Sequence, residues 1–207
     1  MSPTIVCAEL GSEARNMPND DLIQKPFATP VAFRSWLANH HRTSPGLWLQ
    51  IAKKGTGVAS ITYAEAIDEA LCVGWIDGQR GALDDVWFLQ RFTPRRRASR
   101  WSKINCAKVD ALVEAGRMQS AGQAEIDAAK ADGRWDAAYD GARSATVPED
   151  LQAALDAVPE AAAFFATLTG NNRYAVLYRV QDAKRADTRA RRIALFVEMC
   201  REGKTVY

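Results

Sequence analysis

The chain has 207 residues, 47% of them apolar, enough to bury the core of one large domain or two small ones. A formal charge of +2, from 27 basic and 25 acidic residues, excludes a global field that would steer the protein to nucleic acid or anionic lipid, so any such role needs a local patch. No stretch approaches the roughly 18 apolar residues of a membrane helix, and MSPTIVCAEL at the start lacks a basic n-region and a sustained apolar run, so the expected compartment is the cytoplasm, without membrane insertion.

In chain order, residues 1–25 mix polar residues with Gly and Pro without a period and read as a flexible leader. Thr29 followed by Pro30 starts a helix that places Phe33, Trp36 and Leu37 on one face and stops before the SPG of residues 44–46. LWLQIAKK then alternates Leu47, Leu49 and Ile51 against Trp48, Gln50 and Ala52, a strand pattern with Lys53 and Lys54 at its exit. Thr62 with Glu65 forms a capping box for the helix YAEAIDEALCVG, which Gly74 can stop. WIDGQRGALDDVWFLQRF offers two aromatic-rich runs around a Gly-containing connection, a hairpin in which Asp77–Gly78 is a turn signal. From residue 99 the texture turns to Ala, Glu, Lys and Arg, with stops at Gly116 and Gly133 and helix-starting prolines at Pro148 and Pro159. The expected fold class is α+β: a small antiparallel sheet or hairpin with helices over residues 26–140, then a mostly helical C-terminal module over 141–207, with 140–149 as the linker.

Two clusters carry chemistry. The first is LCVGWIDGQR, residues 71–80. Cys72 ends a helix, at the negative end of its dipole, with acidic neighbours and no nearby His, so a buried and poorly reactive thiol is expected rather than a nucleophile. Trp75 reads as core or as one wall of a site, and Asp77 as a turn residue or a ligand contact. The second is RFTPRRRASRWSK, which gathers Arg91, Arg95, Arg96, Arg97, Arg100 and Lys103 around Trp101. Guanidinium groups bind carboxylate or phosphate bidentately and stack on indole, so this is either an anion-binding surface or a solvated, salt-bridged loop. Ser99 or Ser102 can cap the helix that follows.

The remaining signals are weaker. KKGTG at 53–57 lacks the Walker spacing and reads as a turn with a basic rim. Adjacent His40 and His41 diverge by about 100° on a helix, and Cys7, Cys72, Cys106 and Cys200 are scattered, so no metal, no cofactor and no disulfide framework is expected. Asp187 reads as the cap of a last helix whose Ile193, Phe196, Val197 and Cys200 form a packing stripe.

At these clusters the sequence resembles a known family. LWLQIAKKGTGVASITYAEAIDEALCVGWIDGQR, RFTPRRRASRWSKIN and AKRADTRARRIALFVEMCREGK are similar to the YdeI/OmpD-associated bacterial family, over nearly everything from Phe27 to the C-terminus. Val73 stands where members often carry an aromatic residue, which thins any aromatic wall there. The resemblance implies a role in protection against bacteriocins or peptide stress and a link to an outer-membrane porin, with no established reaction.

Together these readings give a cytoplasmic stress or bacteriocin-protection protein that acts by binding an anionic small molecule or peptide in an Arg/Trp-lined pocket. Trp75 and Asp77 are expected to share a cleft with Arg91 and Arg96, alongside Arg95 and Trp101, with Lys53 and Lys54 on its rim. The alternatives are an enzyme using Glu69, Cys72 or Asp77 on a phosphorylated or acyl substrate, and a structural interaction module.

Overall fold

The structure, a computed structural model, describes residues 21–207; most of the expected leader lies outside the described residues. The architecture is α+β: a four-stranded sheet in the N-terminal half and eight helices among the described residues. The chain divides into two compact units. One comprises the residues up to Ser99 together with Val109–Ala128, the other Arg100–Lys108 together with Ala129–Tyr207.

In the first unit the elements run β1 (Gln24–Pro26), α1 (Pro30–His40), β2 (Leu47–Ala52), α2 (Tyr63–Cys72), β3 (Trp75–Ala82) and β4 (Trp87–Pro94). Thr29 caps α1 by accepting a hydrogen bond from the Ala32 amide at 3.2 Å, and Pro30 takes the first position, where a missing N–H costs nothing. The capping box of α2 forms in full: the Glu65 carboxylate accepts from the Thr62 amide at 2.8 Å, while the Glu65 amide donates to the Thr62 hydroxyl at 3.3 Å. Gly74 follows at φ +77°, and a Cβ there would meet the Glu125 side chain at 2.9 Å, so both conformation and space demand glycine.

Strand order is β1-β2-β4-β3. β2, β4 and β3 are antiparallel as expected, whereas β1, which no sequence pattern announces, adds in parallel to β2 and makes the sheet mixed. Asp77–Gly78 is not the hairpin turn. It lies inside β3, where the register slips between Asp77 and Arg80, and the connection is the LDDV segment. The buried Gln90 of β4 accounts for the irregularity, because its side-chain amide donates to the Gly78 and Gln79 carbonyls at 2.9 and 3.2 Å.

The ladder sorts the residues onto faces. Leu47, Leu49 and Ile51 stand opposite Phe92, Gln90 and Phe88, and Phe92 stands opposite Asp77. This face takes the helices: Phe33 of α1 lies 5.9 Å from Phe92, and Trp36 meets Trp75 edge-on at 5.9 Å. The reverse face carries Trp48, Leu89 and Arg91. Trp48 and Leu89 are as buried as the helix side, so β2 does not have the wet face its alternation suggests.

α3 (Lys103–Glu114) and α4 (Ser120–Ala131) contribute residues to both units. The second unit is otherwise helical, with α5 (Glu149–Asp156), α6 (Pro159–Thr167), α7 (Gly170–Gln181) and α8 (Ala186–Arg201) around Leu151, Leu155, Phe165, Val176, Leu177, Ile193, Phe196 and Cys200. Pro159 opens α6 and Ser102 accepts from the Asn105 amide at the start of α3, as read from sequence. Asp187 sits within the first turn of α8 instead of at its cap, which Arg185 occupies; a carboxylate there still faces the positive end of the helix dipole.

Candidate functional site

Where β2 ends, residues 53–62 make a loop that returns to α2. The Lys53 amide donates to the Val86 carbonyl at 2.7 Å, the Thr56 hydroxyl to the Lys53 carbonyl at 3.0 Å, and the Ala52 amide to the Ser60 hydroxyl at 3.1 Å, so the loop is tied to the sheet at both ends. Between this loop, the first residue of α2 and the ends of β3 and β4 lies a cleft of about 600 Å³. Ile51, Val58 and Phe88 give it apolar walls, and Lys53, Lys54 and Arg80 give it positive charge. Arg80 lies over the Phe88 ring, 3.9 Å from its centroid. Tyr63, at the start of α2, donates its hydroxyl to Asp77 Oδ2 at 2.7 Å, which fixes its ring as a further wall. Among the described residues, Lys53, Lys54 and Arg80 form no ion pair with a carboxylate.

The residues singled out from sequence do not converge as expected. Trp75 is core, 1% exposed, with its indole N–H donated to the His41 carbonyl at 3.1 Å. Asp77 shares the helix-covered face, but Arg91 projects from the reverse one: Asp77 pairs with Phe92, and a Cβ at Gly78 would lie 3.6 Å from that of Arg91. A period of two makes neighbours in register one residue apart point oppositely, so Trp75, Asp77 and Arg91 cannot line one cleft. Arg95 is buried, its amide donated to the Gly74 carbonyl at 3.0 Å, and Arg96 is exposed in a turn closed by Ser99. Trp101 belongs to the second unit, buried with its ring 5.0 Å from that of Trp135, and Arg100 there bonds Tyr178 and Asp182. The arginine-rich segment is thus divided between the two units. Lys53 and Lys54 do border a cleft, together with three residues the sequence reading passed over: Arg80, Phe88 and Tyr63. Arg80 closes the LCVGWIDGQR stretch, but its place beside Phe88 depends on the slip in β3, which no local pattern announces.

The residues of the enzyme reading occupy different settings. Glu69, 2% exposed, receives Arg34 in a bidentate pair at 2.8 and 2.7 Å and Arg117 at 2.8 Å. This joins α1, α2 and the α3–α4 connection. Cys72 is 3% exposed, and burial pushes its thiol up to about 11, against the opposing pull of Arg117, so it is protonated at neutral pH. Tyr63, the partner of Asp77, and Cys72 stand at opposite ends of α2, about 13 Å apart along its axis. His40 and His41 each turn Nδ1 to a backbone carbonyl of their own helix, of Trp36 and Leu37. Among the described residues no group of three or more His, Cys, Asp or Glu side chains is placed to hold a metal, and no helix is long and apolar enough to cross a membrane.

Residues 144–203 match the family described as bacteriocin-protection, YdeI or OmpD-associated. Residues 25–125 match a separate domain of unknown function. The family likeness is therefore shown for the C-terminal segment, which includes most of AKRADTRARRIALFVEMCREGK. The segments holding GWIDG, RFTPRR and WSKIN fall in the other domain and not in the family's. No curated protein and no solved structure matches the chain.

Proposed function

Starting from a bacteriocin-protection, YdeI or OmpD-associated domain over residues 144–203, we propose that the protein serves a protective role by binding an anionic small molecule or peptide carboxylate in the cleft at the end of β2. One observation carries this reading: Lys53, Lys54 and Arg80 border a single concave, apolar-walled space and have no carboxylate partner among the described residues. A cation already in a bidentate ion pair has little capacity for a ligand, as at Arg34, whereas an unpaired one keeps its donors for an incoming anion. The Arg/Trp wall first expected is replaced here by a lysine rim with an Arg80–Phe88 platform. The same reading keeps the protein in the cytoplasm, to be checked by fractionation of cells expressing the full chain.

Calorimetric titration with a panel of organic carboxylates and phosphates is the direct test. At least one is expected to bind, and Lys53→Glu with Lys54→Glu to abolish that binding at an unchanged melting temperature, because both side chains are exposed. Binding that persists in the charge-reversed chain would move the site elsewhere.

A further inference from the structure

We infer that the occupant of this cleft is a phosphate monoester of a planar ring, of the nucleoside monophosphate class; the inference rests on the anion-binding reading and narrows it. Three cations border the cleft, more than one carboxylate neutralises. A phosphate monoester brings nearly two negative charges and three acceptor oxygens, which suit a pair of lysine ammonium groups acting as point charges. Between those lysines and α2, Gly55 and Gly57 hold φ of +89° and +72°, and nothing lies within 4 Å of where a Cβ would stand, so the loop backbone is open to close approach.

The remainder of the cleft asks for more than an inorganic ion. About 600 Å³ is the size of an organic ligand's pocket, and Ile51, Val58 and Phe88 offer apolar surface that phosphate alone would leave uncovered. Arg80, itself exposed, sets its guanidinium carbon over the Phe88 ring, 3.9 Å from the centroid, and a planar heterocycle stacks on an exposed guanidinium. The orientation follows from the acids. Asp77 of β3 accepts from the Tyr63 hydroxyl, and Glu65 accepts from the Thr62 amide and hydroxyl, so these donors at the start of α2 already serve carboxylates. That leaves phosphate the lysine loop, with the ring toward Arg80 and Phe88.

Isothermal titration of the full chain with the ribonucleoside 5′-monophosphates, the matching nucleosides, inorganic phosphate and benzoate tests this. At least one monophosphate should bind roughly tenfold or more tighter than its nucleoside and than inorganic phosphate. Lys53→Ala with Lys54→Ala should erase the gap between monophosphate and nucleoside. Arg80→Gln should weaken monophosphate and nucleoside alike, and each of them more than it weakens inorganic phosphate. Benzoate binding as tightly as the best monophosphate, and lost in the double lysine variant, would overturn the phosphate ester and keep the anion-binding reading. Absence of binding by every probe, or binding indifferent to the lysine variant, would overturn both.

Discussion

At Glu69 one buried carboxylate holds two guanidinium groups, and the asymmetry of that arrangement is measurable. Removing either Arg34 or Arg117 leaves the other in place, so each alanine variant should cost about 1–2 kcal/mol. Removing both strands a buried carboxylate, and the double variant should lose about 3–5 kcal/mol, checked by urea midpoints of all three chains. Small, additive losses would mean that water substitutes for the arginines. Cys72 offers a pH test. Its folded thiol keeps a proton that the unfolded chain releases near 9.0, so the folded state binds the extra proton up to about 11. Stability is whole below the lower value and falls as pH rises through that window, by about 2–3 kcal/mol. Cys72→Ala should flatten this part of the decline relative to the parent chain. The sequence anticipated a buried and reluctant thiol, its reluctance argued from the helix C-terminus and acidic neighbours, whereas the largest cause is the burial itself.

At the scale of elements, helix starts were the most legible features because their physics is local. Thr29–Pro30 and Thr62 with Glu65 satisfy amides within three residues, and no distant contact has to be known. Thr62→Ala should therefore cost about 1 kcal/mol, read from thermal unfolding. The Glu65 carboxyl, held below the usual carboxylate range by hydrogen bonds from Thr62, adds stability that is present above its unfolded value and lost as pH falls through its folded one. In the helical unit, Phe165 lies in the core with Leu155, Val176 and Phe196, and Phe165→Ala should cost about 3–5 kcal/mol. Arg189→Ala, which removes a partly exposed tie from α8 to Asp150 of α5, should cost no more than about 1 kcal/mol. Strands were less legible. β1 has three exposed residues and no pattern of its own, and Asp77–Gly78 carries a turn signature yet pairs within β3, where the Gln90 amide binds the carbonyls left by the slip.

For the molecule as a whole, the scatter of cysteines and the two helix-bound histidines predict that treatment with EDTA leaves the melting temperature unchanged; a fall on chelation, restored by zinc, would reveal a metal site outside the groups described. The sequence by itself determined the α+β class, the helix boundaries that carry caps, the core aromatics Phe33 and Trp36, and the likeness of its C-terminal segment to a protective family, because periodicity, capping and motif are properties of neighbours along the chain. Only the tertiary structure decided which charged residues share a space. Register sent Asp77 and Arg91 to opposite faces, the boundary between the two units fell at Ser99–Arg100 inside the arginine-rich segment, and the slip in β3 brought Arg80 onto Phe88 beside Lys53 and Lys54. The physical reason is that a strand side chain reverses its direction with every one-residue shift, so a binding surface built on a sheet depends on pairing that no single segment contains.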